Sequence, residues 1–101
     1  MAFQTDFSSS SDTLIDLEVP PSYKVILLND DFTTMDFVVN ILMTIFRKKE
    51  AEAVEIMLSV HKNGEGVAGI FPYDIAATKI QLTMRRAHEA GFPLKCKMEK
   101  A

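Results

Sequence analysis

The chain is 101 residues long, 48% hydrophobic by type and 25% charged, which allows one small globular domain and leaves no room for a second. Its longest unbroken aliphatic run, Val25 to Leu28, falls far short of the roughly 18 residues a bilayer span needs. The N-terminus, Met1 to Asp6, has neither the basic nor the apolar segment of a secretory signal, so a cytoplasmic protein without a membrane partner is expected. The net charge of -3 is uneven, because residues 1 to 21 carry -4 and the other 80 carry +1. A near-neutral body without a basic run lacks the electrostatic footprint of a nucleic-acid binder. The single cysteine, Cys96, excludes an internal disulfide and a multi-thiolate zinc site.

Residues 1–21 read as a flexible acidic tail, polar through Ser8 to Ser11 and closed by Pro20 and Pro21. Its apolar residues, among them Phe3, Phe7, Leu14, Ile15 and Leu17, leave two readings open, a binding segment and a passive linker. The core domain is expected over 22–101. Tyr23 to Leu28 is β-branched and aliphatic and stops at the turn formers Asn29, Asp30 and Asp31, which predicts a first strand. Thr33 and Asp36 have the spacing of a capping box for a helix from about Thr34 to Phe46, whose apolar stripe is Val38, Ile41, Leu42 and Ile45. The basic Arg47, Lys48 and Lys49 suit its C-terminal end. A second helix follows with Ala51, Val54, Met57, Leu58 and His61 on one face and Asn63-Gly64 as its stop.

Gly66 to Phe71 is short, apolar and glycine-punctuated, which suits a strand approached closely by another backbone. A third helix is predicted from Tyr73 to Ala90, ended by Gly91 and Pro93. Leu94, Cys96 and Met98 then alternate with Lys95, Lys97 and Glu99, a half-buried last strand. The order β-α-α-β-α-β predicts an α+β fold, a small sandwich with three helices on one face of a three-stranded antiparallel sheet. About 80 residues of core favour surface recognition over a deep enzymatic cleft.

The chemistry-bearing residues are Asn29, Asp30 and Asp31 after the first strand and His61 on the second helix. Three readings stay open for them. Asp30, Asp31 and His61 could hold a metal, although adjacent carboxylates in a turn point apart. They could serve a small hydrolase, although no glycine-framed serine accompanies His61. They could also simply shape a turn and end a helix. Met57, Val60 and His61, at i, i+3 and i+4, share a helix face. If that face meets the turn, an apolar pocket gains a rim of acceptors: the Asn29 amide oxygen, the Asp30 carboxylate and a neutral imidazole nitrogen. An ammonium group, all donors and no acceptor, complements such a rim.

The run from Pro20-Pro21 through Tyr23-Lys-Val-Ile-Leu, Asn29-Asp-Asp-Phe-Thr33 and Met35-Asp-Phe-Val38 is specific in combination. With Val60-His61, Gly64, Ala76-x-Thr-Lys79 and Pro93-Leu94-x-Cys96, it resembles the ClpS family, bacterial adaptors of the ClpAP protease. The resemblance covers about Pro20 to Ala101. It implies a non-enzymatic, cofactor-free monomer that binds substrates through an N-terminal Leu, Phe, Tyr or Trp and delivers them to a ClpA-type or ClpC-type AAA+ unfoldase. It assigns Asn29, Asp30 and His61 to the substrate α-amino group, and Asp31, Thr33, Met35, Val38, Met57, Val60 and Leu94 to the side-chain pocket. Asp74, Thr78 and Lys79 map to the family's unfoldase-docking surface. The chain departs from the family pattern at Thr34, where proline is frequent, at Phe32, where tyrosine is common, and at Ala77, where an acidic residue is frequent in the docking segment. The alternative is a small hydrolytic or metal-dependent enzyme using Asp30, Asp31 and His61.

Overall fold

The β-branched run after the two prolines forms the central strand β1 (Ser22–Leu28). The structure, a computed structural model, describes residues 19–101, so the expected tail lies, apart from residues 19–21, outside the described residues. Strands β2 (Glu65–Pro72) and β3 (Lys95–Lys100) flank β1, both antiparallel, in the order β2-β1-β3. Between them run α1 (Met35–Thr44), α2 (Glu50–Asn63) and α3 (Tyr73–Ala90). This is the β-α-α-β-α-β order and the α+β sheet-and-helix architecture expected from the sequence.

The strand period of two sorts the side chains. Val25 and Leu27 of β1 and Ala68 of β2 are buried against Val38, Ile41, Leu42, Ile45 and Phe46 on the α1 side. The same core takes in Met57 and Val60 of α2 and Ala76 of α3. Cys96 and Met98 of β3 pack against it. On the opposite face Lys97, the cross-strand partner of the buried Ile26, lies 3.0 Å from Glu99 and 3.4 Å from Glu65 in exposed ion pairs.

Two local readings are corrected. The N-cap of α1 is Thr34, not Thr33: the Thr34 hydroxyl accepts the Phe37 N–H at 3.2 Å, because Thr33 is drawn into the preceding turn. The buried stripe of α2 is Ala53, Met57 and Val60, while Ala51, Leu58 and His61 are exposed. The small Ala53 lets the helix lie close to its neighbours. The C-terminal end of α1 is held from outside its own chain segment, since Lys79 of α3 donates to the Ile45 carbonyl at 2.7 Å. Its Nζ also sits over the Phe46 and Phe71 rings, at 5.8 and 5.3 Å from their centroids.

Two features place the site. Gly64 ends α2 in the left-handed region, at φ 89°, and its carbonyl accepts the Asn29 N–H at 2.9 Å. The turn after β1 is thereby tied to the end of α2. Gly66 is required by the close approach of α2 to β2, since a Cβ there would stand 2.8 Å from Val60 Cγ2 and 3.1 Å from the Ile56 carbonyl oxygen.

Candidate functional site

Asp30 organises the turn that follows β1. One carboxylate oxygen accepts the N–H groups of Phe32 and Thr33, each at 2.7 Å, and the other accepts the Thr33 hydroxyl at 2.6 Å. Partial burial acts to raise the Asp30 pKa, but the Thr33 hydroxyl and the Thr33 and Phe32 amides outweigh it and hold the carboxyl below its ordinary value. Asp30 therefore stays ionised at neutral pH, with part of its acceptor capacity still open.

This turn, the first part of α1 and the last part of α2 enclose a cavity of about 420 Å³. Val38, Met57 and Val60 form its apolar wall, and Asn29, Asp30, Asp31 and His61 supply its polar groups. Thr33 and Met35 also line it; Met35 is 44% exposed and stands at the mouth. No lysine or arginine lines the cavity, so its local charge favours a cation, and its wall favours an apolar group attached to that cation.

Leu94 is the exception among the expected pocket residues. It is buried, at 4% exposure, but is not part of the cavity lining. Its neighbours Pro93 and Lys95 line a different cleft, and the alternation of the extended chain turns Leu94 away from them into the protein. Two lining residues were not anticipated, Phe32 and Thr34. Phe32 is 74% exposed, an aromatic ring held out beside the cavity. Its signal was an aromatic residue set between two turn-forming polar ones.

Among the described residues no three His, Cys, Asp or Glu side chains are placed to hold one metal ion. Cys96 faces the core, where burial pushes its thiol up to about 11, so it offers no thiolate at neutral pH.

A model of the family described as ATP-dependent Clp protease adaptor protein ClpS matches residues 18–97. The chain belongs to the ClpS family. It is 50% identical to the ClpS adapter protein of Clostridium acetobutylicum over 98 residues, 97% of each chain. It is 56% identical to that of Acetivibrio thermocellus over 88 residues, 87% of this chain and 89% of that one. Its fold superposes on Agrobacterium tumefaciens ClpS2, solved with bound L-phenylalaninamide, with a TM-score of 0.79 and 38% identity, covering 82% of this chain and all of that one. These relatives are named as adapters of a protease rather than as enzymes.

The residues that the ClpS resemblance links to the unfoldase fall at the start of α3. Asp74 and Thr78 are exposed, one turn apart, with the Thr78 hydroxyl donating to the Asp74 carbonyl at 3.0 Å. Exposed Tyr73 and Ile75 flank Asp74. Lys79 is half-buried and engaged with α1. Among the described residues no helix is long and apolar enough to cross a membrane.

Proposed function

We propose that this chain captures proteins by an N-terminal Leu, Phe, Tyr or Trp and delivers them to a ClpA-type or ClpC-type AAA+ unfoldase for degradation. The observation that carries this is the cavity itself: an apolar wall of Val38, Met57 and Val60 beside the acceptors Asn29, Asp30 and His61. A free N-terminus offers an ammonium group one carbon from its side chain, so a single residue meets both halves of the site. The ligand of the A. tumefaciens relative, L-phenylalaninamide, has that combination of free amine and apolar ring. Asp31 and Thr33 line the cavity beside the Asp30-held turn, and Met35 stands at the mouth, where a bulky thioether can crowd branched side chains. Asp74 and Thr78 supply the exposed docking surface.

The test is degradation of a Phe-starting reporter by ClpA, its protease partner and ATP. Adding the chain should accelerate loss of the Phe-starting reporter and leave a Ser-starting copy untouched. Equal rates for the two reporters would refute delivery by N-terminal residue.

A further inference from the structure

Along α3, Ile75, Lys79, Leu82 and Arg86 follow at i, i+4, i+7 and i+11 and form a single stripe. Two of them border α1: Lys79 donates to the Ile45 carbonyl at 2.7 Å, and the Arg86 guanidinium donates to the Thr44 hydroxyl at 2.7 Å. The other two, Ile75 and Leu82, are 45% and 38% exposed. This flank is also basic. Between Asp74 and Glu89, α3 carries Lys79, Arg85 and Arg86 and no carboxylate, and α1 is followed by Arg47, Lys48 and Lys49. Among the described residues the exposed Arg47, Arg85 and Arg86 form no ion pair, and the bond to Thr44 leaves most of the Arg86 donors open.

The chain enters the fold next to this flank. Ser22 is the cross-strand partner of Pro72, the residue directly before α3, and the Tyr23 ring meets the Tyr73 ring edge-on, with centroids 5.4 Å apart. Residues 1–21 therefore join the body at the root of α3. They carry Asp6, Asp12, Asp16 and Glu18 and no lysine or arginine, with Leu14, Ile15 and Leu17 set among the acids. The segment 12–18 thus holds the acidic and apolar groups that complement the flank. Its length is sufficient: the chain from Asp12 to Pro21 can span about 33 Å when extended, against about 16 Å along the helix axis from Ile75 to Arg86. We propose that residues 12–18 fold back onto this flank of α3, Leu14 and Leu17 covering Ile75 and Leu82 while the acids face Arg47 and Arg86. The tail then competes with the unfoldase for the surface beside Asp74 and Thr78, a consequence that rests on the proposed docking there.

The test is paramagnetic broadening of NMR signals in the full chain. Cys96 packs against the core with its thiol pushed up to about 11, so at neutral pH a nitroxide reagent selects a cysteine introduced by Ser11→Cys, at the edge of the segment. The label should broaden the amide signals of Arg47 and of Leu82 to Arg86 well beyond those of Val67 and Ile70, which lie on the far face of the sheet as partners of Ile26 and Lys24. Adding Leu14→Ser and Leu17→Ser, which leave the sequence of the body unchanged, should remove the difference. So should Asp12→Lys, Asp16→Lys and Glu18→Lys together, and that lysine-tailed chain should bind ClpA about threefold more tightly than the parent, the factor expected if the docked tail occupies about two thirds of the molecules. Uniform broadening, broadening centred on Val67 and Ile70, a pattern that survives the two serines, or one that passes equally to unlabelled copies mixed with labelled ones would each overturn the fold-back. Equal or weaker ClpA binding by the lysine-tailed chain would overturn the competition. Failure of both chains to bind ClpA would overturn the delivery reading, an outcome separate from the NMR result, so the failures are distinguishable.

Discussion

Asp30 shows how one side chain can serve a turn and a binding site together. Its three accepted hydrogen bonds outweigh the effect of partial burial and lower its pKa. The folded chain therefore gives up this proton more readily than the unfolded chain, whose reference value is about 3.9. The resulting stabilisation is present above that value and is lost as pH falls through the lowered one. The Phe32 and Thr33 amide resonances, followed by NMR from pH 7 downwards, should move with a midpoint below the reference value of about 3.9. A midpoint above the reference value would contradict this account of the turn. Met35 carries a second prediction, because it stands half-exposed at the mouth of the cavity. Met35→Ala should remove a clash with β-branched side chains and narrow the preference for Phe over Val or Ile by about tenfold. Peptide-binding isotherms with Phe, Val and Ile at the N-terminus would show it; an undiminished preference would remove Met35 from the gate. At this scale the turn was legible from Asn29-Asp30-Asp31. The role of Thr33 was not, since two adjacent threonines are interchangeable as caps until the carboxylate of Asp30 is seen to claim one of them.

Element boundaries followed from punctuation that acts locally: Gly64 and Gly91 take the left-handed conformation where the helices stop. The face that α2 buries did not follow. Residues 51, 54, 57, 58 and 61, the expected face, and residues 53, 57 and 60, the buried one, are neighbouring helical stripes that share Met57, and periodicity alone does not say which one meets the sheet. The tie between α3 and α1 was equally invisible, because Lys79 and Ile45 are 34 positions apart. That tie gives Lys79 a structural role beside its proposed part in docking. Lys79→Met should cost about 1–2 kcal/mol through the lost charged hydrogen bond, lowering the melting temperature by roughly 4–8 °C per kcal/mol in a domain of this size. Thr78→Lys, at an exposed position beyond the first turn of α3, should weaken binding to the unfoldase without lowering the melting temperature. Thermal unfolding of the two variants beside an unfoldase-binding assay separates the roles. A Lys79→Met protein as stable as the parent would reduce this lysine to a surface residue.

For the whole molecule, order and period sufficed for the fold because each strand and helix carries its own pattern: alternation in β3, helical spacing in α1 and α3. The cavity is a different kind of object. It exists because the Asn29 N–H meets the Gly64 carbonyl, a contact between the turn after β1 and the end of α2. The sequence supplied only the conditional statement that these two parts, if joined, make an amine-binding pocket. The joined arrangement sets apolar wall and acceptor rim on one hollow of about 420 Å³, so a charged N-terminus and an apolar side chain are expected to be recognised together. Calorimetric titration of the whole chain with L-phenylalaninamide and with its N-acetylated counterpart isolates the part of the amine, since the two differ in whether it can be charged. The free amine should bind and the acetylated compound should show no detectable heat, whereas comparable affinities for the two would mean that the cavity recognises only the ring.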